Sequence, residues 1–235
     1  MKSQDILLLL KLVSLARQAQ GLPAVAASAA PAWQAAPSRL LMQERAPYLV
    51  AAAAPGLPQG DAAAAMGWQH SVRALAEVTG ISKSEVSQSL QRSYAARLAR
   101  IDRKSGLPRV HIDALLEFVL HGLRYVFPVK PGPMARGMAT AWAAPVMQGV
   151  LHSAGEFCPV WPDAQGEHQG EHQGEHQGEH QGEAIAPLFK SAPFAAQQDP
   201  TLYALLALID SNRLGLARER NLANQMLEKM LLEVQ

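Results

Sequence analysis

The hydrophobic pattern predicts two short helices joined by a tight turn between Ser71 and about Tyr94. The first helix has its inner positions at helical spacing: Val72, Leu75, Ala76 and Thr79. Gly80 follows at once, and glycine takes the left-handed conformation that turns a chain sharply after a helix. Ser82 opens the second helix with Glu85 three residues later, which is the pattern of a capping box. Aliphatic residues four apart form the inner face of that helix: Val86 and Leu90.

A weaker alternation predicts a small β-hairpin over residues 98–112. Apolar and polar positions alternate on both sides of Lys104-Ser105-Gly106, which has the composition of a turn. The tip of this hairpin is expected to carry three basic residues: Arg103, Lys104 and Arg109.

The helix pair resembles the helix-turn-helix of bacterial DNA-binding regulators. The resemblance lies in a small residue at Ala76, the turn glycine at Gly80, and aliphatic residues at Ile81, Val86 and Leu90. With the basic hairpin after it, the stretch resembles MarR-type winged-helix regulators over roughly residues 68–126. The resemblance implies a fold that is mainly α with a small β-wing, and a DNA-binding role. The alternative interpretation is an ordinary helical hairpin in a core.

The resemblance also implies which residues would contact DNA. The outer face of the second helix is polar, mostly short, and able to reach bases or phosphates in a major groove. The candidates at the start and on the outer face of this helix are Ser82, Lys83, Ser84, Ser87, Gln88, Gln91 and Arg92. In the wing, Arg103, Lys104 and Arg109 would meet the phosphate backbone. Glu85 is expected to be occupied by capping.

Other helical periods flank this stretch. The predicted helices span Ser3 to about Gln18, Ala114 to about Tyr125, Leu202 to Ile209 and Leu214 to Val234. The first is expected to pack behind the helix-turn-helix. The second, capped by Asp113, is apolar on more than one side, which predicts burial in the domain or in a dimer. His121 on that helix is interpreted as a packed core histidine, and the last two helices are expected to separate near Ser211-Asn212.

Composition divides the chain into three predicted segments. Residues 1–126 would form the winged-helix domain, with an Ala/Pro-rich insertion at about 22–66 whose repeated prolines forbid one long helix. Residues 127–198 are predicted to be a Pro-rich and repeat-containing loop region, extended over 127–142. Residues 199–235 would form a C-terminal helical extension for dimerisation or for binding a partner.

Charge is concentrated on the candidate DNA-binding stretch. The 235-residue chain has a formal net charge of only +1, which argues against wholesale binding of polyanions. Residues 68–136, however, hold about eleven Lys or Arg against about five Asp or Glu. Cys158 is the sole cysteine, so an intramolecular disulfide is excluded and a cytoplasmic location is the simple expectation. No apolar run is long enough to span a bilayer, so we expect no membrane partner.

One tandem repeat, Gly-Glu-His-Gln, recurs four times from Gly166 to Gln181. Its histidines lie four residues apart, which on a helix would form an imidazole stripe able to bind metal: His168, His172, His176 and His180. Glycine in every unit makes that helix costly, so an expanded surface loop is favoured and we expect no physiological metal. The chain shows no phosphate-binding loop, dinucleotide fingerprint or nucleophile motif. We therefore expect no catalytic residues and no cofactor.

The sequence therefore favours a sequence-specific, DNA-binding transcriptional regulator that binds double-stranded DNA as a homodimer. The alternative is a protein-interaction module, such as an antitoxin-like partner of a neighbouring-gene product. An enzyme is the third class, and the motifs above argue against it.

Overall fold

Over the residues that the structure describes, the fold is mainly α-helical with two small β-sheets. The computed structural model describes residues 1–23, 67–148, 157–163, 180–215 and 217–234. Its helices are α1 Ser3–Ala19, α2 Val72–Thr79, α3 Lys83–Ala95, α4 Ile112–Glu117, α5 Leu123–Val126, α6 Ala192–Gln198, α7 Pro200–Leu214 and α8 Ala217–Leu232. Its strands are β1 Ala99–Ile101, β2 Pro108–Val110, β3 Met134–Ala139, β4 Cys158–Pro162 and β5 His180–Ala184. Over these described residues, no helix combines the length and apolar character that a membrane crossing requires.

Helix α1 is the centre of the molecule. The prediction of a helix from Ser3 to about Gln18 is confirmed, and Lys2 occupies its N-terminal capping position. Its five successive aliphatic residues are fully buried: Ile6, Leu7, Leu8, Leu9 and Leu10. A helix that is buried on all sides must have neighbours on all sides. The neighbours of α1 include α3 and α7.

Buried polar contacts fix α1 to the C-terminal helices. The Lys11 ammonium lies 2.7 Å from the Asp199 carboxylate, and the Ser14 hydroxyl donates to the same carboxylate at 2.6 Å. The other oxygen of Asp199 caps α7 by accepting from the Leu202 amide at 3.0 Å. Further along α1, Arg17 donates to the Met230 carbonyl at 2.7 Å. One continuous hydrophobic core therefore contains residues from both ends of the chain.

The predicted helix Ala114 to Tyr125 forms, with three differences. It begins at Ile112 with His111 as its cap, so the prediction that Asp113 caps it is wrong. A π-helical turn at Phe118–Gly122 separates α4 from α5. His121 is exposed, so the interpretation as a packed core histidine is also wrong. The apolar side chains of this segment lie in the intramolecular core: Ile112, Leu115, Leu116, Val119 and Leu123.

The second sheet occupies a region predicted to be extended loop. Strand β3 pairs antiparallel with β4 and with β5, while β4 and β5 pair parallel with each other. Glycine allows these backbones to approach, because a Cβ on Gly137 would collide with the Trp161 carbonyl and one on Gly182 with the Cys158 carbonyl. The prediction of loop alone for residues 127–142 is therefore wrong at β3.

A buried carboxylate attaches this sheet to α7. Asp210 accepts hydrogen bonds from the Trp161 indole at 2.6 Å, the Thr140 hydroxyl at 2.9 Å and the Arg213 guanidinium at 2.6 Å. Burial raises the pKa of Asp210, while the three donors act in the opposite direction. Arg213 also donates to the Phe127 carbonyl at 2.9 Å. Because its donors come from the sheet region and from α7 itself, the cluster joins the two.

The last two helices separate later than the sequence predicts. α7 continues through Ser211 and Asn212 to Leu214, and α8 begins at Ala217, so the break expected near Ser211-Asn212 lies a few residues later. The apolar side of α8 is packed into the core by four residues: Ala223, Leu227, Met230 and Leu231. These residues, and those of α4 and α5, supplied the apolar surface from which the sequence suggested dimerisation. Much of that surface is buried within one chain.

Candidate nucleic-acid interface

The turn between α2 and α3 has the predicted geometry. Gly80 ends α2 in the left-handed region at φ 66° and ψ 17°, and its amide donates to the Ala76 carbonyl at 3.0 Å. A Cβ at Gly80 would lie 3.0 Å from Ser191 Cβ and 3.3 Å from a ring carbon of Phe194, just before and in α6. The Ser191 hydroxyl also donates to the Thr79 carbonyl at 2.6 Å. The turn is therefore stabilised by contacts with Ser191 and Phe194 as well as by its own backbone hydrogen bond.

The start of α3 shows half of the predicted capping box. The Ser82 hydroxyl accepts from the Glu85 amide at 3.4 Å, as expected for a cap. The Glu85 carboxylate does not complete the capping box. It accepts from the Gln4 amide group and lies 3.5 Å from Lys2 Nζ. The Gln4 hydrogen bond and nearby cations lower the pKa of Glu85. Glu85 thus ties α3 to the start of α1.

The two faces of α3 differ as predicted. The inner face is buried through Val86, Ser89, Leu90 and Ser93. The predicted contact residues that are exposed along the helix and at its cap are Ser82, Lys83, Ser84, Ser87, Gln88 and Gln91. The described residues leave this outer face uncovered, so it can meet a large ligand.

Arg92 differs from the other predicted contacts. Its guanidinium binds the Asp5 carboxylate through two nitrogens, at 2.7 Å from Nη2 to Oδ1 and 2.9 Å from Nε to Oδ2. The Asp5 side chain is fully buried and also accepts from the Ser89 hydroxyl at 2.7 Å. Burial alone would raise the pKa of Asp5, but the hydrogen bonds from Arg92, the Lys2 amide and Ser89 outweigh it and lower the pKa. Arg92 therefore anchors α3 to α1, and its predicted contact with DNA stays a prediction.

The predicted hairpin forms, and its turn is internally bonded. β1 and β2 pair antiparallel, and Gly106 takes a left-handed φ of 70° in the turn. Asp102 stabilises this turn by accepting from the Ser105 amide at 3.1 Å and the Ser105 hydroxyl at 2.7 Å. These hydrogen bonds lower the pKa of Asp102. Arg103 and Lys104 are exposed at the tip, in the predicted position.

Arg109 is not at the tip. It lies in the middle of β2, directly opposite Arg100 in β1. Both arginines are exposed. Arg100 was not among the predicted contacts, although its position relative to the turn was a usable signal. Residues equidistant from a hairpin turn face each other across the strands. The basic side chains of the hairpin thus form a tip pair, Arg103 with Lys104, and a strand pair, Arg100 with Arg109.

Most of the histidine repeat lies outside the described residues. This includes His168, His172 and His176, so their expected lack of a metal role stays a prediction. His180 begins β5 and is exposed. Within the part of the chain that the structure describes, no group of three or more His, Cys, Asp or Glu side chains could hold a metal ion. The Ala/Pro-rich insertion at about 22–66 likewise lies almost wholly outside the described residues.

Comparisons with protein-family models, with curated proteins and with solved structures found no match to this chain. Interpretation of the interface therefore depends on its own geometry and charge.

Proposed function

We propose that this chain is a sequence-specific DNA-binding transcriptional regulator of the winged helix-turn-helix type. The order of elements supports it: α1 packs against α2 and α3, and the β1–β2 hairpin follows α3 directly. In this architecture the second helix of the pair enters the major groove and the wing lies along the backbone. α3 would be the recognition helix, and the hairpin the wing.

The outer face of α3 carries the proposal. Its exposed side chains combine one cation, Lys83, with short hydroxyl and amide groups such as Ser84, Ser87 and Gln88. Hydroxyls and amides offer both donors and acceptors to base edges, whereas lysine meets phosphate. Directly behind them, the contact of Arg92 with the buried Asp5 carboxylate fixes the orientation of the helix. A rigid helix with an open polar face suits base recognition.

The charge around this face supports binding to a polyanion. The exposed cations Lys83, Arg103 and Lys104 have no acidic partner among the described residues, while Glu85 and Asp102 are engaged in contacts within the chain. Counterion release from a few phosphate contacts would supply most of the affinity for any duplex. The base contacts of α3 would then supply the preference for one sequence.

Homodimerisation is part of the proposal. One recognition helix reads too few base pairs to select a site in a genome, so two copies on adjacent half-sites are expected. Half-sites would then repeat with a spacing of about 10 base pairs or a multiple of it.

Selection from a random duplex library tests this function. The full chain should enrich one motif, and that motif should contain two related half-sites. The enriched duplex should bind at least about a thousandfold more tightly than scrambled DNA. Failure to bind any duplex at low salt would contradict the proposal and favour the protein-interaction alternative.

A further inference from the structure

A cavity of about 510 Å³ lies between the second half of α1, the β1–β2 hairpin and the start of α4. Its apolar lining includes Leu12, Val13, Ala16, Leu107, Ile112 and Val234. Its polar lining includes the strand pair, Arg100 and Arg109. The volume falls within the range of small-molecule sites, and nearly half of the lining residues are polar, among them Asp102 and Asp113.

The two arginines form an unusual pair. They face each other in the register of β1 and β2, and like charges directly opposite one another destabilise a hairpin. Among the described residues, neither guanidinium has a hydrogen bond or an ion pair. Two carboxylates also line the cavity. Asp102 accepts from Ser105, and the positive charge of Arg109 contributes to lowering its pKa. Asp113 has an interaction of its own. An anion between the guanidiniums would remove the repulsion.

We infer that this cavity binds a small amphipathic anion, with an oxyanion group between Arg100 and Arg109 and an apolar body against α1. Guanidinium groups bind carboxylate or phosphate through two parallel hydrogen bonds, and two guanidiniums can bind the same group from both sides. The half-buried apolar side chains of Ala16 and Leu107 favour a ligand with an apolar body over a purely inorganic ion.

The inference extends to regulation, and this step rests on the proposed function. The strand pair and the tip pair belong to one hairpin of three-residue strands. A bound anion lowers the positive charge of that hairpin close to Arg103 and Lys104. It would therefore weaken phosphate contact by the wing, and the ligand would act to release DNA.

Calorimetry of the full chain without DNA tests the site itself. The probes are decanoate, decyl phosphate, decanol and acetate. Decanoate or decyl phosphate should bind saturably with one molecule per chain. Decanol lacks the charge and acetate lacks the apolar body, so both should bind at least tenfold more weakly. Absence of saturable binding by both anionic decyl probes would overturn the inference.

Four variants separate specific binding from adsorption. Arg100→Ala and Arg109→Ala should each weaken binding at least tenfold. Arg103→Ala, which removes an equal charge from the same hairpin outside the cavity, should change it less than twofold. Ala16→Leu should weaken binding by filling the cavity without altering charge. Equal weakening in Arg100→Ala and Arg103→Ala would show nonspecific attraction and overturn the site.

A duplex-binding assay separates this inference from the proposed function. Decanoate should weaken DNA binding by the unaltered chain and have little effect on Arg100→Ala. If the probe binds but no duplex does, the cavity stands and the regulator proposal fails. If the selected duplex binds and the probe does not, the cavity inference alone fails.

Discussion

The two faces of α3 use similar residue types in opposite ways. On the inner side, Arg92 and Ser89 both donate to the buried Asp5 carboxylate, and Glu85 contacts the start of α1. On the outer side, residues such as Gln88 and Gln91 remain exposed. The difference teaches that polarity alone does not mark a recognition face. What separates the faces is whether the fold has already supplied a partner.

The largest expected effect comes from breaking the inner face. Arg92→Ala leaves the Asp5 carboxylate buried without its cation, which should lower the free energy of unfolding by about 3 kcal/mol. The neighbouring Gln91→Ala removes an exposed side chain and should change it by less than about 0.5 kcal/mol. Urea unfolding of both variants measures the difference. Equal stabilities would show that the Asp5–Arg92 contact does not anchor α3.

The same contact predicts a pH dependence. The pKa of Asp5 is lower in the folded chain than in the unfolded chain, so its contribution to stability is fully present above the unfolded pKa. That contribution should be lost as the pH falls below about 4 and through the folded pKa. Asp5→Asn should flatten this part of the stability profile relative to the unaltered chain. An unchanged profile would assign the acid sensitivity to other carboxylates.

Substitutions on the outer face of α3 should change the affinity for DNA and leave the stability of the fold unchanged. Alanine at Ser84, Ser87 or Gln88 should weaken binding to the selected duplex by about 1–3 kcal/mol per base contact. Binding to scrambled duplex should change much less, because phosphate contacts remain. Thermal unfolding should be unaltered, since these side chains are exposed. An equal reduction in affinity for both duplexes would mean that these residues do not read bases.

A smaller effect is expected at the turn. Gly80→Ala places a Cβ at a left-handed φ and against Ser191 and Phe194, which should cost about 2 kcal/mol of stability. Gly106→Ala is the matched control: its φ is also left-handed, but no atom beyond its two chain neighbours lies within 4 Å of the added carbon. It should cost about 1 kcal/mol. Urea unfolding of both variants gives the difference, which measures the contact between the turn and the Ser191–Phe194 segment. Equal costs would show that this contact contributes nothing.

Local sequence signals predicted the local structure well. The positions of α1, α2, α3 and the hairpin followed from apolar period, a turn glycine and a serine cap, because each acts within a few residues. Burial of most of α1 did not follow, since its neighbours come from both ends of the chain. The role of Arg92 was missed for the same reason. Its partner Asp5 lies 87 residues earlier, and no local pattern distinguishes a paired arginine from an exposed one.

The second sheet shows where sequence reasoning failed. β3 lies in a stretch rich in proline and glycine, which locally favours loop. Its pairing with β4 and β5 depends on distant residues, and its glycine at Gly137 serves close backbone approach rather than flexibility. The Asp210 cluster was equally hidden, because its donors Thr140 and Trp161 come from separate segments. Arg100 became a candidate binding residue only when the pairing of β1 with β2 placed it opposite Arg109.

A salt titration of DNA affinity tests the central claim most directly, namely that the outer face of α3 reads bases while the hairpin tip contacts phosphate. The unaltered chain, Gln88→Ala and the double variant Arg103→Ala/Lys104→Ala are each measured on the selected and on a scrambled duplex. The tip variant should bind both duplexes more weakly and reduce the slope of log affinity against log salt by about 0.9 for each phosphate that it no longer neutralises. Gln88→Ala should keep the slope and bind only the selected duplex more weakly. The opposite pattern, an unchanged slope in the tip variant with equal weakening by Gln88→Ala on both duplexes, would contradict the account.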